Sequence, residues 1–199
     1  MNSIGVAPIS FHSRTLQTGQ LTSYVTGGYD LLGEGVSLSK NYAILTAGQY
    51  SGTTAITINS KTDTHSNNCV FDLRTRLMWS RYVAASVGPS SNGKLPWTTN
   101  ANGEGIFTYM LAANAALLAG FNDWRIPNRN EFNGIFDAEA PTAAPDVTAF
   151  PSWPTSDYFH CTNSRVAATT FPVLPNFGSG NIGNAGDKTT VYFVALVRG

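Results

Sequence analysis

The sequence predicts an α+β domain, a mostly antiparallel sheet with two helices mid-chain and long surface loops. Short strand-like runs dominate both ends of the 199-residue chain, and helical signals are confined to its middle. Gly-, Pro- and Asn-rich stretches separate the pieces. A chain this long buries roughly 70% of its unfolded surface, so it needs neither a disulfide nor a metal to fold.

Residues 1–20 are polar, lack a helical period and read as an extended N-terminal arm; residues 21–199 read as a single domain. Tyr42–Leu45 and Thr54–Ile58 are strand-like, the second alternating in the way a half-buried strand does. Cys69–Asp72 and Leu77–Trp79 flank a polar turn at Arg74–Arg76, as a hairpin would. Residues 86–105 form a Gly/Pro/Ser/Asn loop.

A long helix is predicted over Ile106–Ala119, where Phe107, Met110, Leu111 and Leu118 share one face, and Gly120 suits a left-handed C-terminal cap. A shorter helix is predicted after Asn128, an N-cap with Glu131 three residues on, and with Phe132, Ile135 and Phe136 as its buried stripe. Pro127 bars an earlier start. Residues 138–155 and 172–187 read as loops, Asp157–Thr162 as strand-like, and Thr189–Val197 as a strand covered on both faces.

Only 12% of residues are charged, where about 25% is ordinary. Thr, Asn, Ser and Gly replace them, so the surface is polar but largely neutral. Net charge is zero and Arg74, Arg76 and Arg81 are the sole basic cluster, so no nucleic-acid partner is expected. No run approaches the roughly 20 apolar residues that span a bilayer, so no membrane insertion is expected. The N-terminus lacks the basic and apolar regions of a signal peptide, which favours retention or release by lysis within a virus particle. Cys69 and Cys161 lack metal or redox spacing and are expected as buried free thiols.

Taken together, TGQLTSY (Thr18–Tyr24), VFDLRTRLMW (Val70–Trp79), LLAGFNDWRIPNRNEF (Leu117–Phe132), SDYFHCT (Ser156–Thr162) and the closing VRG resemble the Lcl C-terminal domain family, over about Thr18–Gly199. The resemblance implies a C-type-lectin-like fold and glycan-binding secreted or surface adhesins as relatives, in a family with no established catalytic activity. Its signature falls on Trp79, Asp123, Trp124, Arg125, Asn128 and Glu131. Arg76 stands where the pattern has a turn glycine, and YFHCT replaces YWSST. The calcium ligands of true C-type lectins are absent, so no calcium is carried over.

The stretch FNDWRIPNRNEF holds the densest chemistry in the chain. As an acid/base pair, Asp123 and Glu131 would have to face a cleft at about 5–9 Å, as glycosidase carboxylates do. Glu131 is already claimed by the helix cap, so the stretch is better explained as a structural corner. His12, His65 and His160 are scattered, and no nucleophile or phosphate-loop motif occurs, so no enzyme, metal or cofactor is expected.

What remains is a binding surface on the late loops. Sugars need aromatic faces and amides or hydroxyls, which points to Trp153, His160, Asn176 and Asn181, although a plain core role for Trp153 fits as well. The expected function is non-enzymatic: a phage tail or capsid-surface adhesin on the virion surface (or a bacterial surface protein) recognising a host glycan or protein receptor. The alternative is a particle assembly protein without a ligand. Either form is expected to be a homo-oligomer, with the arm contacting other virion subunits.

Overall fold

The computed structural model describes residues 42–45, 55–64, 69–81, 84–137, 142, 144–183 and 186–199. The expected arm, His12, His65 and the TGQLTSY stretch lie outside the described residues. The N-terminal strands are β1 (Tyr42–Leu45), β2 (Ala55–Ile58), β3 (Lys61–Thr64), β4 (Cys69–Asp72), β5 (Met78–Ser80) and β6 (Lys94–Pro96). Helices α1 (Ile106–Ala115) and α2 (Arg129–Gly134) follow. The chain then forms β7 (Ser164–Arg165), β8 (Ala168–Pro172), β9 (Leu174–Asn176), β10 (Asn181–Gly183), β11 (Val191–Phe193) and β12 (Val197–Arg198). The fold is thus mostly antiparallel strands with two short helices, as predicted.

A four-stranded sheet in the order β1-β4-β5-β12 divides the core. Side chains alternate across it, so Cys69, Phe71 and Met78 join one apolar cluster, while Val70, Trp79 and Val197 join the other. The first cluster packs under α1 through Ile106, Tyr109 and Ala113. The second packs under α2 and contains Phe132, Phe150, Trp153, Phe159 and Phe177. Burying side chains of this size contributes about 1.5–3 kcal/mol each.

The β4–β5 hairpin is tight. Asp72 carbonyl accepts from Arg76 N–H at 2.9 Å, its N–H donates to Leu77 carbonyl at 2.8 Å, and its carboxylate accepts Arg74 N–H at 2.8 Å. The glycine-free turn places Arg76 in the left-handed region, with φ 63°. The neighbouring arginines are tied to backbone: Arg74 Nη2 donates to Gly134 carbonyl at 3.1 Å, and Arg81 to the carbonyls of Thr148 and Ala149 at 2.7 and 3.0 Å.

Helix α1 departs from the prediction twice. It ends at Ala115, because Asn114 turns its amide to bracket Trp124, accepting its N–H at 2.7 Å and donating to its carbonyl at 2.8 Å. Leu117, Ala119 and Gly120 then take positive φ values as the chain reverses. Moreover, the face carrying Phe107 and Leu111 points to solvent, while Ile106, Tyr109 and Ala113 are buried. Tyr109 Oη donates to Asp63 Oδ2 at 2.6 Å, which ties the inner face to β3. The helix is apolar on every side, so its sequence does not choose the face.

Four segments differ from the prediction, two of them more ordered and two more broken. The 86–105 loop contains β6, and the 172–187 loop contains the β9–β10 hairpin. Tyr158 and Phe159 make only isolated bridges, the second of them parallel. The expected strand over Thr189–Val197 is two strands, since β11 pairs with β6 and β12 with β5. Its last four residues, Val194–Val197, are fully covered, as expected.

Candidate functional site

The corner between the helices is built as a joint. Trp124 is buried and its indole N–H donates to Leu118 carbonyl at 2.8 Å. Trp79, equally buried, packs on Phe132 and Phe150 in the second cluster. Asn128 caps α2 by accepting the N–H groups of Asn130 and Glu131 at 2.9 and 3.0 Å, and Glu131 returns the bond to Asn128 N–H at 2.7 Å. Arg125 pairs with Glu131, and Asp123 with Arg198 Nε at 2.6 Å. The Arg198 guanidinium also lies 3.8 Å from the Phe121 ring centroid. Its hydrogen bond holds the Asp123 carboxyl below the ordinary range. Both carboxylates of the motif therefore have structural partners.

The four residues expected to meet a ligand are placed very differently. Trp153 is 7% exposed and lies in the second cluster, stacked on Phe159 at 5.1 Å with Phe150 and Phe177 against its edges. His160 is wholly buried between Trp97 at 6.0 Å and Tyr192 at 5.3 Å. Neither presents a face to solvent, because the loops fold back and use their aromatics as core. Asn176 and Asn181 stand opposite each other in the β9–β10 hairpin. The Asn176 amide oxygen is committed to the N–H groups of Gly178 and Ser179, and Asn181 is exposed.

A different aromatic surface lies beside the β6–β11 ribbon. Of the four tryptophans, Trp97 alone keeps a part-exposed ring. Phe107 meets its edge at 5.4 Å and the Lys188 ammonium lies 4.7 Å from its centroid. From Trp97 the rings run through His160 and Tyr192 to the half-exposed Tyr158, 5.6 Å from Tyr192. Lys94 bonds Asp157 at 2.6 Å and lies 4.7 Å from the Phe193 centroid. Tyr158 bridges Asn176, so the Asn176–Asn181 hairpin adjoins the same surface.

The floor of this surface is tightly set. Burial pushes the His160 imidazole down to about 4, against weaker support for its charged form from the carbonyls of Thr190 and Leu95, and neither ring nitrogen makes a hydrogen bond of good geometry. Gly186, at φ 73°, sits so close that a Cβ there would lie 2.7 Å from Tyr192 Oη. The Asp187 carboxylate accepts from the N–H and hydroxyl of Thr189, which hold its pKa low. The surface thus combines aromatic faces, hydroxyls and two lysines without a nucleophile activated by a base.

The sequence profile of the Lcl C-terminal domain matches residues 68–198, well over half of the chain. The chain belongs to the Lcl C-terminal domain family. The family match begins just before β4, so the Trp97 surface and most of the two-faced core lie within the Lcl C-terminal domain, while β1 and β2 add Leu45, Ile56 and Ile58 to the first cluster from outside it. No curated protein and no solved structure matches the chain. Among the described residues, no group of three or more His, Cys, Asp or Glu side chains could hold a metal ion. Among the same residues, no helix is long and apolar enough to cross a membrane.

The sequence signal for Trp97 was available but faint. In Lys94-Leu95-Pro96-Trp97, a buried Leu95 follows a half-exposed Lys94, yet the run sits in a Gly/Pro-rich loop and spans only one short strand.

Proposed function

We propose that this chain is a non-enzymatic recognition protein with a C-type-lectin-like domain, displayed on a virion or cell surface and binding a host glycan or receptor. The observation that carries this is the line of rings that runs from the part-exposed Trp97 through His160 and Tyr192 to the half-exposed Tyr158, with Lys188 on Trp97 and the Lys94–Asp157 pair next to Tyr158. Sugar rings present C–H faces that suit aromatic rings and hydroxyls that suit amides and carboxylates. The low overall charge fits a neutral, hydroxyl-rich ligand, and membership of the Lcl C-terminal domain family supports the lectin-like fold.

Glycan-array and whole-cell binding by the purified chain tests this. Binding that survives Asn181→Ala but falls with Tyr158→Ala supports the aromatic surface; absence of binding to any glycan or host cell removes it.

The second reading, an assembly protein of a virus particle without a ligand, is favoured by one feature: the exposed Phe107 and Leu111 on α1. Loss of particle assembly on deleting residues 1–20, with no glycan binding, would favour it over the first.

A further inference from the structure

His160 sits at the centre of the ring line, wedged between Trp97 and Tyr192 and wholly buried. The carbonyls of Leu95, on β6, and Thr190, just before β11, are close enough to favour a charged ring, yet neither nitrogen has a well-formed hydrogen bond. A neutral imidazole has one N–H for two acceptors, and a charged one has two N–H groups but no water. The strands that hold this wedge are weakly held themselves. β6 and β11 form a ribbon of their own, three residue pairs long and apart from the four-stranded sheet. Pro96 pairs with Val191 and has no N–H to give. Two short strands are marginal alone, so the ribbon depends on the rings packed against it. The charged groups around the wedge are committed elsewhere: Lys94 to Asp157, Lys188 to the Trp97 ring, and Asp187 to Thr189. Tyr158, Tyr192 and the buried Cys161 thiol are the other titratable neighbours. Among the described residues, no carboxylate supports a charge on His160.

We propose that His160 is an acid-operated latch: charging its ring drives it from between Trp97 and Tyr192, opens the β6–β11 ribbon and dismantles the recognition surface. As a means of ligand release this rests on the recognition reading above, whereas the opening itself needs no ligand. What a buried imidazolium lacks is water, and an opened ribbon supplies it. The closed ribbon holds the ring at about 4, and the opened one returns it to the ordinary 6.5, so the opened form binds the proton first. The closed form therefore keeps its full advantage above pH 6.5 and loses it as pH falls toward 4. Between pH 7 and pH 5 the opened fraction grows about twentyfold. The joint between Arg125 and Val197 makes no use of His160 and stays closed over that range. His160 is thus a positioning residue, which sets Trp97 and Tyr192 without touching a ligand.

Native-state hydrogen exchange on the full chain at pH 7 and pH 5, expressed as protection factors, tests the latch. The Thr98 and Phe193 amides, bonded to the carbonyls of Lys188 and Tyr158 at 3.1 and 3.0 Å, should lose about twentyfold in protection. The Arg125 and Val197 amides should keep theirs. His160→Phe leaves a ring in the wedge with no proton to gain, and should abolish the loss. A second readout needs no substitution: the ring-proton NMR signal of His160 in the unaltered chain should titrate well below 6.5. Unchanged protection of Thr98 and Phe193 overturns the latch, as does an equal loss at Arg125 and Val197, which would be unfolding of the whole domain. The same loss in His160→Phe, or a ring that titrates at 6.5 while the ribbon stays protected, overturns it too. No glycan enters the experiment, so failure of the latch and failure of the recognition reading are told apart.

Discussion

Arg125 and Glu131 meet fork to fork, with Nη1 and Nη2 donating to Oε2 and Oε1 at 2.8 and 2.6 Å, and Oε2 also accepting Asn128 N–H. Arg125 is joined on its other side to Val197, with backbone hydrogen bonds of 2.9 Å in both directions. One glutamate therefore ties the last strand to the cap of α2, and so to the entry of every loop that follows.

Glu131→Ala should destabilise the fold by about 2 kcal/mol. Roughly 1 kcal/mol comes from the lost cap. The ion pair adds less than a buried one would, because the Arg125 side chain is 38% exposed. Glu131→Gln keeps the capping geometry and should cost about half as much. Urea denaturation measures both, and equal losses would show that the cap contributes nothing.

Arg76→Gly should stabilise the chain by about 1 kcal/mol, because it relieves a left-handed residue in an exposed turn whose hydrogen bonds come from backbone, Asp72 and Thr75. Thermal denaturation should show a higher midpoint; a lower one would mean that the Arg76 side chain holds the turn.

These two sites show what a sequence displays. The α2 cap and the β4–β5 hairpin are legible because the information is local: Asn128, Glu131 and the apolar runs around Arg74–Arg76 decide them within a few residues. The outward turn of Phe107 is not local. It depends on Asp63 receiving Tyr109 and on Trp124 receiving Asn114, both distant in sequence. Trp153 follows the same logic, since Phe159 and Phe177 claim its ring. Residues 189–197 read as one strand yet serve two sheets, because their partners Leu95 and Trp79 belong to different strands.

Stability should fall between about pH 6.5 and pH 4 through His160. Its folded pKa, about 4, lies below the ordinary 6.5, so the unfolded chain binds the proton first. The contribution is complete above 6.5 and is lost as pH drops to 4, by up to roughly 3 kcal/mol. His160→Phe should flatten this slope in denaturation curves taken across that window. An unchanged slope would place the titration elsewhere.

Cys69 and Cys161 should resist thiol reagents in the native state. Both are buried thiols, the Cys161 Sγ donates to Val173 carbonyl at 3.0 Å, and burial pushes its thiol up to about 11. At pH 8 the thiolate fraction is then about one in a thousand. A thiol-titration assay should count no fast thiol in buffer and two in denaturant. Rapid native labelling of Cys161 would show that the second cluster opens, and of Cys69 that the first does.

The most direct test is equilibrium binding of Trp97→Ala to whichever glycan or host surface the unaltered chain retains, with melting temperatures measured alongside. We expect binding to weaken by about tenfold or more, since stacking on one aromatic ring is worth on the order of 1–2 kcal/mol, while the fold persists. Binding equal to that of the unaltered chain, in a folded Trp97→Ala variant, would contradict recognition through this surface.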